Sequence, residues 1–277
     1  MAITVNTNVA SLTAQHALTK ATSSMNTAME RMSTGLKINS SKDDAAGLAV
    51  SSKLDYMVSS LGVAQNNAQM GVSMLDTMEG VMGVINDNLT RIRDLTEQAA
   101  NGTYGSDAMS AIKIEVNARL AEINRVASSA EFNGKKLLDG TTSSVNLQVG
   151  INNDDNSTIT LDSSVFQDCT REGLNLEDDV DWASDSDAKG FLTTVDEAIK
   201  SVTNAKTAIG GKQAAITSAM ESAQVMATNL TSASSLIKDA DIAEESSNYI
   251  KQQILQQTSA SLLATANQAP SIALNLV

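Results

Sequence analysis

Residues 89–103 read LTRIRDLTEQAANGT. They close the longest unbroken helical pattern in the chain and end in an Asn-Gly turn signal. Upstream, apolar residues recur at Leu54, Val58, Leu61, Ala68, Val72 and Leu75, then at Met78, Met82, Ile85, Leu89 and Ile92. The steps are mostly three, four or seven, the 3.5-residue repeat of helices packed side by side. A helix from about residue 43 to 100 would be a rod of roughly 87 Å at 1.5 Å per residue. Ordinary globular helices run to only about 11–12 residues. The stretch therefore predicts a mainly α fold, a coiled-coil bundle of long helical rods. Within it, Arg91 and Arg93 flank Ile92 and precede Asp94 and Glu97, which reads as a solvated face with local ion pairs. Glu115 and Arg119 repeat that pattern at i, i+4.

Composition narrows what such rods can do. The chain carries 19 basic and 32 acidic side chains, a formal charge of −13. No basic footprint exists for nucleic acid, and an anionic membrane surface is equally disfavoured. The one proline, Pro270, leaves the preceding helices uninterrupted. Aromatic residues are 3% of the chain and Met accounts for 12 residues, so the core is aliphatic, Ala-rich and Met-rich. The single Cys169 excludes a disulfide framework and a cysteine zinc cluster. No cleavable signal peptide is visible in residues 1–25, and no run of 18 apolar residues could span a membrane.

In chain order, residues 1–7 read as an extended lead-in. A helix from Asn8 to about Thr34 carries the stripe Leu18, Met25, Met29, Met32 and Leu36, and Gly35 is its stop. Ser40, Ser41 and Asp43 are candidate N-caps of the long helix, with Asp44 favourable in its first turn. Gly62, Gly71, Gly80 and Gly83 within it predict close approach of a neighbouring helix. After the Asn101-Gly102 break, Ser106 and Asp107 cap a helix bearing Met109, Ile112, Val116, Leu120 and Ile123 and ending near Glu131. The sequence EFNGKKLLDG then reads as a turn and short connector. Alternation at Val145, Leu147 and Val149, and again at Ile159 and Leu161, predicts a β-hairpin over about 145–161. Residues 162–187 are acidic and predict an irregular connector facing solvent. Helical periodicity resumes at Leu192 and continues through Ile209, Ile216 and Leu230, with Gly210-Gly211 as a kink or fray point. A last helix from Asp241 to about Asn267 carries Ile242, Ile250, Ile254, Leu262 and Ala266, and Pro270 ends it. The helices at the two ends must pair, since neither has another partner in sight. Both are weakly apolar, so they are expected to order fully only when neighbouring subunits supply contacts.

Catalytic chemistry is missing. His16 is the sole histidine, and no zinc-protease, P-loop, dinucleotide-binding or nucleophile-elbow motif occurs. Cys169 lies among acidic residues, which raise a thiol pKa. The acidic run at 154–187 lacks the spacing of a calcium loop. The chain is not read as an enzyme, and it implies no cofactor and no metal.

The residues converge on one family. RMSTGLKINSSKDDAAGLAVSSKL at 31–54 resembles the signature of bacterial flagellins. The opening stretch, followed by IKIEVNARLAEINRVASSAEFNGKKLL at 112–138, is similar to the family's inner-core region. VNLQVG at 145–150 resembles its first hairpin strand. The segment from Ile237 to Val277 resembles its C-terminus, including Ala-Asn-Gln-x-Pro at Ala266–Pro270. The resemblance implies a structural subunit that is secreted and self-assembles, as a homopolymer, into the extracellular flagellar filament for motility. Residues 1–42 and 238–277 would form a terminal coiled coil lining an inner tube. There Leu18, Met25, Met29, Met32, Leu36, Ile250, Ile254 and Leu262 would serve assembly. Residues 43–161 and 188–237 would form the helical rod, and 162–187 would replace a variable outer domain that is missing here. The implied partners are further flagellin subunits, a type III export apparatus with its chaperone, and hook-junction and cap proteins. An animal Toll-like receptor of innate immunity is also implied, with Arg91, Leu95, Gln98 and Glu115 as recognised positions. Subunit contact and recognition would then compete for one face. The rival readings are a hook–filament junction protein, which resembles flagellin at both ends, and a coiled-coil signalling module of the chemoreceptor type, against which the hairpin counts.

Overall fold

The computed structural model describes residues 7–176, 180–182 and 184–274. The extended reading of residues 1–6 lies outside them. The elements are α1 (Val9–Thr34), α2 (Ala45–Ala99), α3 (Ser106–Ser129), β1 (Glu131–Phe132), β2 (Lys135–Lys136), β3 (Val145–Gln148), a 3-10 turn (Asp155–Ser157), β4 (Thr158–Leu161), α4 (Asp185–Lys238) and α5 (Ile242–Leu274). The fold is mainly α with small antiparallel β insertions. It divides into two compact units, one of residues 1–58 and 228–277 and the other of residues 59–227. The resemblance implied a division near residues 42 and 238. The two compact units instead divide inside α2 and α4, whose outer stretches also hold to one another. There Asp55 accepts from Ser234 Oγ at 2.8 Å and from Lys238 Nζ at 3.1 Å.

Helix ends follow local chemistry. Asn8 Oδ1 accepts from the Ser11 N–H and caps α1, and Gly35 terminates it at φ 72°, where a Cβ would be strained. The cap of α2 is Asp44, not Ser40, Ser41 or Asp43. Its Oδ1 accepts from the N–H groups of Ala46 and Gly47 at 3.0 and 2.9 Å. Asp43 instead closes the preceding loop by accepting from Ser40. Gly105 stands at the N-cap of α3, with Ser106 already helical. Asp241 caps α5 through the Ala243 and Glu244 amides. α4 starts earlier than its apolar period, at Asp185, where the Asp187 carboxylate reaches back to accept from the Ser184 N–H and hydroxyl. It passes unbroken through Gly210-Gly211, and α5 passes through Pro270 to Leu274. Both expected interruptions are thus corrected.

In the unit of residues 59–227, α2, α3 and α4 bury one aliphatic seam. Leu75, Met78, Met82, Ile85, Leu89 and Ile92 of α2 meet Val116, Leu120 and Ile123 of α3 and Val195, Val202 and Ile209 of α4, all inaccessible to solvent. Each such side chain contributes about 1.5–3 kcal/mol by leaving water. β3 pairs with β4 in the expected hairpin, with Val145 opposite Leu161 and Leu147 opposite Ile159. The turn read at EFNGKKLLDG is itself a hairpin, β1–β2, whose Asn133 and Gly134 both have positive φ (48° and 80°). Asn-Gly is the favoured pair for that two-residue turn. Among the four glycines in the body of α2, Gly71 alone meets a close neighbour. That neighbour is Leu147 of the hairpin, not a helix, while Gly62, Gly80 and Gly83 face open space. Gly47, in the first turn, lies against Ile38 and Asp44.

The connector differs most from its reading. It is irregular, but it does not simply face solvent. Val165, Phe166, Cys169, Leu174, Leu176, Val180 and Trp182 are buried in the same core. Asn117 of α3 holds the Val180 backbone from both sides, accepting its N–H at 2.9 Å and donating to its carbonyl at 3.3 Å. Lys113 pairs with Asp181 at 2.7 Å, and the Trp182 and Phe191 rings pack at 5.5 Å. Several acidic residues serve the turns: Asp162 accepts from Ser164, and Asp168 from Thr170. Of the acidic residues counted there, Glu177, Asp178 and Asp179 lie outside the described residues.

Burial, and secondarily the Asp168 charge, push the Cys169 thiol up to about 12. The neutral thiol should therefore resist alkylation at pH 8 in the native protein. The prediction is that iodoacetamide labels Cys169 only at the rate of unfolding; labelling as fast as that of a free thiol would contradict its place in the core.

Candidate functional site

No chemical centre is assembled among the described residues. Among the described residues no group of His, Cys, Asp and Glu could hold a metal ion, and no helix is long and apolar enough to cross a membrane. His16 is exposed on α1. The features that can act on a partner are two surfaces, one in each unit.

The first is the α1–α5 pair. The helices run antiparallel. Asn8 Nδ2 donates to the Ala266 carbonyl at 2.7 Å, Gln256 Nε2 to Thr22 Oγ1 at 3.0 Å, and Arg31 pairs with Glu245 at 2.9 Å. That ion pair joins the last turn of α1 to the first turn of α5, where each charge also opposes its helix dipole. Beyond it, Lys37 N–H donates to the Lys238 carbonyl at 2.7 Å and Ala240 N–H to the Gly35 carbonyl at 2.9 Å. Leu36 bridges Asp239 in this small backbone clasp, so it works within the chain. The buried seam between the helices is narrow and made of small or polar groups: Ala21, Ala28, Glu245 and Ser259. Leu18, Met25 and Met32 are half-buried beside it. Most large apolar side chains of α5 lie elsewhere. Ile250 and Ile254 are 52% and 57% exposed, and Met29 of α1 is 46% exposed. Leu262, 58% exposed, borders the contact and lines a groove with Ala10, Ala14 and Ala17 of α1. The apolar positions read on α5 are thus split, with Ile250 and Ile254 away from α1 and Leu262 at the edge of the pairing.

The second surface is where α2 and α3 run side by side. Arg91 Nε donates to Glu115 Oε1 at 3.1 Å, and Arg119 Nε reaches the same oxygen at 3.1 Å. Arg119 Nη1 also donates to Asn88 Oδ1 at 3.2 Å. Both guanidinium groups hold the Glu115 carboxyl below the ordinary glutamate range, Arg91 having the larger effect. Gln98 is exposed one turn beyond Leu95. Leu95 itself is only 3% exposed and belongs to the core. The flagellin resemblance implied it as a recognised position beside Arg91, Gln98 and Glu115. The structure turns it inward, since α3 and α4 cover that flank of α2. Arg91, Gln98 and Glu115 remain outside, and Leu95 can only support them. Arg119 and Asn88 belong to the same network. Arg119 was visible as a helix pair with Glu115, but the reach to Asn88 depends on the crossing of α2 and α3.

Both ends of the chain match family models. These are the bacterial flagellin N-terminal helical region over residues 5–143 and the bacterial flagellin C-terminal helical region over residues 192–277. A flagellar filament 33 kDa core protein of Treponema phagedenis is 35% identical over 288 residues, covering 99% of each chain. A flagellin of Xenorhabdus nematophila is 36% identical over 317 residues, covering all of both chains. In solved structures, a chain described as a flagellar hook-associated protein of Vibrio parahaemolyticus shares the fold. Its TM-score is 0.57 at 16% identity, over 70% of this chain and 98% of that one. These similarities define a structural protein, not an enzyme, built from paired terminal helical regions. The chain belongs to the flagellin family, whose members are the structural subunits of the homopolymeric flagellar filament. The alignment to flagellin D of Vibrio cholerae runs over 376 positions, so that relative carries insertions absent from the 277 residues here.

The lowered Glu115 value fixes a sign. A depressed carboxylate contributes stability that is present above its unfolded pKa and lost as pH falls through the folded one. The prediction is that a side-chain NMR titration finds Glu115 protonating below the ordinary glutamate range, and that Arg91→Ala and Arg119→Ala each move it back up. An unmoved titration would remove the network.

Proposed function

We propose that this flagellin polymerises through the exposed stripe Ile250, Ile254 and Leu262 of α5, together with Met29 of α1. The observation that carries this is the division of labour on α5. One face pairs with α1 through small and polar residues, while Ile250 and Ile254 present large apolar side chains to solvent on another face and Leu262 does so at the edge of the α1 contact. Apolar side chains of that size and number on one helix mark an interaction surface. In a homopolymer the partner is the same surface region of further copies. Leu18, Met25 and Met32, half-covered by α5, would be sealed by the same neighbours. The terminal helices then line the inner layer of the filament. The subunit leaves the cell through the type III export apparatus. A chaperone covers the α5 stripe before release, and hook-junction and cap proteins bound the growing polymer. Replacing Ile250 and Ile254 together by Asp should leave a soluble subunit of unchanged helix content by circular dichroism. It should form no filaments after mild heating and cooling, as judged by electron microscopy. Filaments of wild-type dimensions from that variant would refute the assignment.

The α2–α3 surface is assigned a second role, as a ligand for a Toll-like receptor of innate immunity. Arg91, Gln98 and Glu115 would make the contact, with Leu95 holding α2 in place beneath them. What supports this is the exposed charged network on a well-packed base, which offers a receptor a rigid, pre-positioned guanidinium and carboxylate. Arg91→Glu should lower receptor signalling about thirtyfold, the size of a single interface hot spot, with the monomer fold intact by circular dichroism. Undiminished signalling would sink the carry-over of this position.

A further inference from the structure

Six glycines within α2 and α4 are unaccounted for by packing, since a Cβ built on any of them meets nothing within 4 Å: Gly62, Gly80 and Gly83 in α2, and Gly190, Gly210 and Gly211 in α4. Gly62 and Gly190 stand apart, whereas Gly80, Gly83, Gly210 and Gly211 form two close pairs. Each weakens a helix interior relative to Ala, through the larger conformational freedom that Gly loses. No turn, positive φ or close backbone neighbour compensates, since all four sit in continuous helix.

Their position along the structure is not scattered. Three cross-links fix the antiparallel register of α2 and α4: Gln65 with Gln224 at 3.1 Å, Asp76 with Gln213 at 2.8 Å, and Arg93 with Asp196 at 2.7 Å. In that register Gly210 and Gly211 stand level with Glu79 and Met78, within about a turn of Gly80 and Gly83. The weak points of the two longest helices therefore coincide. The core beside them is formed by Met78 and Met82 of α2 and Ile209 of α4, all fully buried, with Met74 one turn away. Methionine is unbranched and fills changing gaps with little cost, so a core of this kind tolerates small re-seating that a β-branched one resists. Sharp bends in helices have identifiable local causes, and glycine pairs are among them.

We propose that this level of the α2–α4 pair is a bending belt, a site at which both helices open and flex together while the seam on either side stays packed. Helical hydrogen bonds at residues 78–84 and 206–213 break locally more often than those at 89–97, where no glycine interrupts α2. In a polymer the belt lets each subunit absorb curvature at one defined height instead of straining its contacts with neighbours.

Amide hydrogen exchange on the full chain tests this directly, with rates corrected for intrinsic differences. Amides in the belt should exchange faster than those of 89–97. In the variant with Gly80, Gly83, Gly210 and Gly211 all replaced by Ala, exchange there should slow about fivefold for each glycine the opening includes, and melting should occur at higher temperature. Two half-variants, Gly80→Ala with Gly83→Ala, and Gly210→Ala with Gly211→Ala, should each show part of the effect and guard against misfolding of the fourfold change. Filaments of the fourfold variant should fluctuate less in shape, with a longer persistence length. That arm rests on polymerisation, whereas the exchange arm stands without it. A flat exchange profile along α2, or rates that do not respond to alanine, would overturn the proposal. So would loss of assembly with monomer exchange unchanged, because the glycines would then serve close approach of a second copy.

Discussion

Everything in the unit of residues 59–227 depends on one constraint: the apolar stripe of α2 from Leu75 to Leu95 must be covered along its length. A 55-residue helix does not hold together in water by propensity alone. α3 and α4 supply the cover with aliphatic residues at the same period, and Val116, Leu120, Val202 and Ile209 are completely buried against it. The connector completes it with Val165, Phe166, Leu174 and Trp182. The surface network of Arg91, Glu115, Arg119 and Asn88 follows from this packing. Its groups meet across α2 and α3 because the seam fixes the register of the two helices.

The terminal unit is built on a different balance. α1 and α5 pair, but their seam of Ala, Ser and a half-shielded Arg31–Glu245 ion pair buries little apolar surface. The larger side chains of α5 are left in water. A subunit that must join others gains from this arrangement, since the same helix is held by its own chain on one face and free to bind on another. The backbone clasp at Gly35–Lys37 and Lys238–Ala240 ties the chain where α1 ends and α5 begins, so their pairing does not depend on the seam alone.

Most of the element order was legible because it rests on period. The 3.5-residue repeat of α2 and α3 and the alternation of β3 and β4 are local signals, and Asn8 and Gly35 are local stop and start chemistry. The connector was illegible for a physical reason. Its buried residues, Val165, Phe166, Cys169, Leu174, Leu176 and Val180, follow no fixed period, and the aspartates between them outweigh them in composition. The β1–β2 hairpin was marked by Asn133-Gly134 but its strands are two residues each, too short for a pattern. Leu95 was carried over from the flagellin resemblance, and a match in residue type does not say whether the side chain faces solvent or the core, where it lies.

The sequence by itself determined the class of fold, the ends of most helices, the flagellin resemblance and the absence of catalytic machinery, since these depend on residue types and their spacing along the chain. Only the tertiary structure decided which of two faces of α5 meets α1, that Leu95 points inward beneath Arg91 and Gln98, that the acidic connector carries core residues, and that glycines distant in sequence share one level of α2 and α4. Each of these is a relation between segments far apart in the chain. It is set by which apolar surfaces can cover one another, and a one-dimensional period carries no record of that choice.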